Sequence, residues 1–193
     1  MTESAQPASA FPDWSRIARR IRVPLGFAFA IVYVWLARPT LLGIFIGMLI
    51  AFPGLLLRAL ASGHVRKNEE LTTTGPYSYT RNPLYLGSMI IAAGFVWAAR
   101  SWILSAVVLV LFIAIYLPVI REEEKHLRER FSDFNAYASR VPRLLPRRSG
   151  EPLWDNFSFD LYRAHREYNA LLGAFAMLVA LLLKWAWIFS GGM

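Results

Sequence analysis

Chemistry in this sequence is concentrated in two short polar stretches. The first, TGPYSYTRNPLYLG over residues 74–87, places Tyr77, Arg81, Asn82 and Tyr85 around a Gly-Pro turn and an Asn-Pro step. Gly75 and Pro76 favour a turn, and Pro83 permits a helix to start where no amide donor is needed. Asn82 then stands at the N-cap position, where its side chain is expected to cap the helix. Aromatic faces, an arginine and a helix N-terminus together suit an adenosine-containing ligand, although a loop and cap is the plainer reading. The second stretch is Glu122, Glu123 and Glu124 beside Arg121. A carboxylate there can capture an ammonium, whereas Arg81 or Arg121 can orient an anionic substrate head. Its plainer reading is a solvated acidic turn.

Several other chemistries have no residues to carry them. The chain has no cysteine, which excludes thiolate metal sites, disulfides and a cysteine nucleophile. His64, His126 and His165 do not fall into metal-ligand spacing, so no metal is expected. No nucleophile elbow, P-loop or Rossmann fingerprint is present.

The elements that position these residues are apolar. The 193 residues are 56% hydrophobic and 18% charged, and mean hydropathy is +0.38, too apolar for an ordinary soluble domain. We expect an all-α integral membrane protein of about five spans. They lie near residues 23–37, 41–61, 83–99, 103–120 and 171–189, where about 20 apolar residues suffice for a crossing. Basic residues alternate between the turns. Four precede the first span at Arg16, Arg19, Arg20 and Arg22, only Arg38 and Arg100 occupy the next short turns, and ten lie from Arg121 to Arg166. This pattern predicts a cytosolic N-terminus, with the segments 62–82 and 121–170 facing the cytosol together. The net charge of +8 therefore marks a membrane face and not a nucleic-acid partner.

The spacing of Leu127, Phe131, Phe134 and Tyr137 predicts one cytosolic amphipathic helix continuing from the fourth span and ending near Pro142. The expected organisation is a polar tail over 1–22, without a cleavable-signal pattern, and a hairpin over 23–61. A core over 62–146, a linker and interfacial segment over 147–170, and a terminal span over 171–193 follow. Lys184 in that last span is expected to snorkel to the outer interface.

Taken together, GPYSYTRNPLYLG and EEEKHLRERFSDFNAYASRVPRLLP resemble the isoprenylcysteine carboxyl methyltransferase family and its phospholipid methyltransferase relatives. The motifs occur in the family's order with one pair of spans between them. The resemblance implies an integral membrane enzyme that uses S-adenosylmethionine without a Rossmann domain. It implies that Glu69, Glu70, Leu71, Thr72 and Tyr77 line the cofactor, followed by Asn82, Pro83, Leu84 and Tyr85. Counting back from Val-Pro selects Glu122 and Glu123 as the acidic pair, and counting back from Leu127 selects Glu123 and Glu124. Asn82 departs from the family's histidine, so imidazole chemistry is not required there, and Ser132 stands where glycine is frequent.

Arg81 and Arg121 are the candidate catalytic residues, for a lipophilic acceptor entering between spans among membrane lipids. Whether oxygen, nitrogen or sulfur receives the methyl group stays open. An NADPH-dependent sterol-type reductase, using the basic residues after Ile120, is the enzymatic alternative. A noncatalytic lipid-binding scaffold is the other.

Overall fold

The computed structural model describes residues 26, 28–66, 69–149 and 151–191, and all their regular elements are helical. The expected tail over 1–22 and the start of the first span lie outside the described residues. Helix α1 covers 28–36, and α2, Leu41–Ser62, follows a four-residue turn. A 3-10 turn at Gly75–Ser78 leads to α3, Pro83–Ala99. Helix α4, Trp102–Leu111, passes through a π-turn at Phe112–Tyr116 into α5, Leu117–Arg130. Three further helices complete the chain: α6 at Phe134–Arg140, α7 at Phe159–Ala164 and α8 at Tyr168–Phe189.

Three helical stretches are long and apolar enough to cross a membrane: α2, the continuous Trp102–Arg130 run, and α8. Helix α3 is apolar but only 17 residues long. The chain is an integral membrane protein by these lengths and compositions.

Helices α2 and α3 make the most extensive helix pair because glycines let their backbones meet. A Cβ at Gly47 would lie 2.5 Å from Gly94 O, and one at Gly54 would lie 2.7 Å from Gly87 O. The glycines recur seven residues apart on each helix, so one stripe of each surface carries no side chain. With lipid as solvent, such close packing replaces the hydrophobic drive of a soluble core. Tyr33, Phe95, Leu104 and Leu181 join α1, α3, α4 and α8 beside it. Tyr33 Oη donates to Phe95 O at 2.6 Å.

The far end of the bundle is closed by polar contacts. Thr40 Oγ1 accepts from Gly43 N at 3.2 Å, and Arg38 N donates to Ala99 O at 2.9 Å. The Lys184 ammonium also reaches this end, where it donates to Val34 O and Trp35 O at the end of α1. Those carbonyls lack intrahelical donors, and a cation beside them also complements the helix dipole.

The predicted single amphipathic helix after the fourth span is instead two. Helix α5 stops at Phe131, which is extended at φ −121° and ψ 117°, and α6 begins at Phe134. Ser132 and Asp133 favour turns by bonding locally, and Ser132 Oγ donates to Asp133 Oδ1 at 3.3 Å. The break turns Phe134 and Tyr137 inward, where both are buried. The π-turn at Phe112–Tyr116 interrupts the fourth span, for which the sequence predicts a regular helix. It ends two residues before Pro118, whose ring would collide with the carbonyl four residues back, that of Ala114 within the turn, in a regular helix.

Candidate active site

One buried carboxylate ties the two polar stretches together. Glu124 is 4% exposed, and its Oε2 accepts from Arg143 Nε at 2.9 Å. Its Oε1 accepts from Asn82 Nδ2 at 3.1 Å and forms an ion pair with Arg81 Nε at 3.3 Å. The backbone reinforces this junction: Arg81 N donates to Pro142 O at 2.9 Å, and Asn82 Nδ2 also donates to Arg143 O at 3.0 Å. Thr80 Oγ1 donates to Leu144 O at 3.1 Å. A buried carboxylate is tolerated only when paired and hydrogen-bonded, and this one has both.

This arrangement changes the expected role of Asn82. Its side chain makes no cap bond to α3 and is directed to Glu124 and Arg143. Pro83 at the first helical position reduces the demand for a cap. Two amide hydrogens serve two acceptors here, which a neutral imidazole, with one N–H, cannot do.

Glu123 occupies the neighbouring, exposed position. It accepts from Tyr85 Oη at 3.0 Å. The Tyr85 ring stands edge-on to Tyr116 at 5.7 Å between centroids, and Tyr116 stacks on Phe112 at 5.5 Å. An aromatic wall therefore backs an accessible carboxylate. Tyr77 is half-buried beside it, and Tyr137 Oη donates to Tyr77 O at 2.7 Å. Burial pushes the Tyr77 phenol well above its ordinary range, helped by Tyr137, Glu123 and Glu167 and opposed by Arg58. Burial likewise raises Tyr137, against the guanidinium of Arg81. Both phenols are protonated near neutrality, so Tyr77 offers a neutral hydroxyl between charged groups.

Arg58 and Glu167 were not singled out by the sequence motifs. Arg58 Nε and Nη2 donate to the two Glu167 oxygens at 2.6 and 3.0 Å, a bidentate pair. Arg58 Nη1 also donates to Leu84 O at 3.2 Å and to Ser88 Oγ. No local signal connects residues more than a hundred positions apart.

The remaining expected residues are less central. Arg66 N donates to Thr72 Oγ1 at 3.3 Å, and Arg66 lies 3.5 Å from Glu70 in an exposed ion pair. Glu69 is exposed and Leu71 half-buried. This loop reaches Gly75, at φ 55°, where a Cβ would fall 2.3 Å from His64 Nε2. Arg121 is exposed and Glu122 half-buried on α5. The fold thus brings Arg81, Asn82, Tyr85 and the acidic pair together, leaving Arg121 and the 69–72 loop at the rim.

Residues 59–133 match the phospholipid methyltransferase family. That segment runs from the last turn of α2 to the break after α5, and holds Tyr77, Asn82, Tyr85, Glu123 and Glu124. Two curated relatives also resemble the chain. The nickel-cobalt-cadmium resistance protein NccN of Alcaligenes xylosoxydans xylosoxydans is 34% identical over 142 residues, 73% of this chain and 61% of its own length. The cobalt-zinc-cadmium resistance protein CzcN of Cupriavidus metallidurans is 39% identical over 92 residues, 46% of this chain and 43% of its own. The chain therefore spans less than two thirds of either relative. No solved structure matches it. Among the described residues, no three His, Asp or Glu side chains form a group able to hold a metal ion. The phospholipid methyltransferase segment stops before Arg143, Glu167 and α8, which come from elsewhere in the chain.

Proposed function

We propose that this protein transfers a methyl group from S-adenosylmethionine to a lipophilic acceptor at the cytosolic membrane face. The observation that carries the reading is the accessible Tyr85–Glu123 pair, held beside the buried Asn82–Glu124–Arg143 junction within the family segment. The donor set fits the cofactor. Glu123 is an exposed carboxylate suited to an ammonium, and the rings of Tyr85 and Tyr116 suit a sulfonium cation. When bound, S-adenosylmethionine supplies an electrophilic methyl group, and neither a metal nor a covalent enzyme intermediate is needed.

The chain's own residues then act by position and charge. Tyr85 orients Glu123, which would hold the cationic part of the cofactor. Tyr77, Pro83 and Leu84 complete the wall, with Glu69, Glu70, Leu71 and Thr72 at its edge and Glu122 beside it. Arg81 is a positioning residue acting through Glu124, and exposed Arg121 borders the approach of an acidic head. Helix breaking at Phe131 folds α6 back, so Tyr137 props the Tyr77 backbone.

Calorimetry on the detergent-purified chain tests this assignment. S-adenosylmethionine should bind and NADPH should not, while Tyr85→Phe and Glu123→Gln should each weaken binding by roughly tenfold. Binding of NADPH in preference to S-adenosylmethionine would restore the reductase reading. Loss of neither affinity in the two variants would leave the pair without a cofactor role. The relatives' names concern metal resistance, and we carry over only the setting: cells lacking the chain should be compared for growth on cobalt, nickel and cadmium salts.

A further inference from the structure

The family segment ends at residue 133, yet a later stretch is fastened to the loop that carries Tyr77. Arg147 N donates to Tyr79 O at 2.9 Å, and Tyr79 Oη donates to Glu151 O at 2.6 Å. Further on, Ser158 N donates to Gly63 O at 2.9 Å, and the Phe157 ring occupies the space a side chain at Gly63 would need. These contacts make a strap that joins the end of α2 to the Gly75–Ser78 turn.

His64 stands between the fastenings and is 5% exposed. Its Nδ1 lies 2.7 Å from Leu60 O and its Nε2 lies 2.7 Å from Asp155 O. A carbonyl oxygen only accepts, so two hydrogen bonds here require two N–H groups, and only the imidazolium has both. A neutral ring would set a bare nitrogen against one of the oxygens. Burial alone opposes a cation, but hydrogen bonds to the charged form favour it. So does the location, two residues past α2, where the helix dipole is negative. Leu60 O is one of the last-turn carbonyls: the amides of Gly63, His64 and Val65 go to Ala59 O and Ala61 O and leave it to the ring.

The charged groups on the surrounding elements have other partners or face water. Arg58 is paired with Glu167 and Arg66 with Glu70, while Glu151 and Asp155 are exposed. His165 places its Nδ1 3.0 Å from Ser62 O, and the Tyr77 hydroxyl is protonated. Among the described residues no carboxylate forms an ion pair with His64. The ring also rests on Gly75, whose φ of 55° and missing Cβ make room for it.

We propose that His64 is a positioning residue held as an imidazolium. It donates to α2 with one nitrogen and to the strap with the other, and so fixes the Gly75–Tyr77 turn of the cofactor wall. The link to cofactor binding rests on the methyl-transfer reading; the charge on the ring and the fastening of the strap do not. The second bond exists only in the charged ring, so it is present at low pH and lost as pH rises.

Ring 15N NMR on the full chain in nanodiscs reads the charge, with the three histidines assigned by single replacements with Gln. At pH 7.5, where an ordinary exposed histidine is mostly neutral, both His64 nitrogens should carry protons. A bare nitrogen on His64 would overturn the proposal. Calorimetry with S-adenosylmethionine at about pH 6.5 and pH 9 reads the positioning. The cofactor's own ammonium loses its proton over this range, so the His64→Gln protein supplies the baseline. Affinity of the native chain should fall about tenfold more than that of His64→Gln, the loss of one hydrogen bond, and the two should converge at the higher pH. Equal falls would overturn the positioning role. Hydrogen exchange on the native chain needs no variant: protection of amides in 151–158, corrected for intrinsic rates, should drop about tenfold over the same interval, and constant protection would refute the fastening. If the native chain binds no S-adenosylmethionine at either pH, methyl transfer fails, while NMR and exchange still decide the charge and the strap.

Discussion

At the scale of residues, Glu123 and Glu124 differ more than their adjacency suggests. Glu124→Ala removes the partner of Arg81, whose side chain is 12% exposed, and should destabilise the fold by about 3–5 kcal/mol. Glu123→Ala should stay within about 0.5 kcal/mol, as expected for an exposed site. Thermal unfolding in one detergent compares them, and equal losses would refute the division of labour. Alkaline titration reports on the tyrosines. Raised folded pKa values for Tyr77 and Tyr137 mean that the native state keeps its protons longer than the unfolded chain. Their contribution is fully present below about pH 10, the ordinary phenol value, and is lost as pH rises beyond it. Tyr137→Phe should flatten that alkaline decline, and an unchanged profile would count against it. The motif letters were readable in sequence, but not which glutamate turns inward. Counting from two anchors slips by one residue, and burial depends on the helix's rotation.

At the scale of elements, the α2–α3 seam yields a contrast between two glycines of the same type. Gly94→Ala would put a methyl group 2.3 Å from Gly47 O and should destabilise by about 1–3 kcal/mol. Gly173→Ala meets nothing within 4 Å and should stabilise α8 by up to about 1 kcal/mol. Unfolding midpoints of the pair decide this, and similar shifts would deny the seam its role. The apolar runs predicted α2 and α3 almost to the residue, since Thr40 and Pro83 mark their starts. The break at Phe131 leaves no mark in the spacing, because Leu127, Phe131, Phe134 and Tyr137 keep helical intervals across it. The Arg58–Glu167 pair was invisible for another reason: only folding brings its halves together.

At the scale of the molecule, the polar ends sort by side. Loop 69–82, α6, α7 and the segment before α8 gather at one end through the contacts of Glu124, Glu167, Tyr137 with Tyr77 O, and His165 with Ser62 O. At the other end stand Arg38, Arg100 and Lys184, with exposed Trp35, Trp97, Trp102 and Trp187 forming an aromatic belt. The first end carries most of the cationic residues, so it is expected in the cytosol. Because the chain has no cysteine, single substitutions can report on this directly. An impermeant maleimide should label Ser190→Cys on intact cells and Ser132→Cys only after permeabilisation, and the reverse pattern would invert the topology. Charge alternation made the gathering of the polar segments at one end legible from sequence, whereas the packing of α8 against α2 emerges only on folding.

The π-turn at Phe112–Tyr116 gives the long fourth helix a property that a plain span lacks. One residue of slack in a helix changes the azimuth of everything after it by roughly 100°, with little change in length. The turn therefore works as a phase adjuster between two environments. The half in lipid presents its apolar surface as the bilayer requires, and the half in water aims Glu123 and Glu124 independently. A lineage could re-aim its carboxylates by gaining or losing that single residue, without rebuilding either the span or the loop they face.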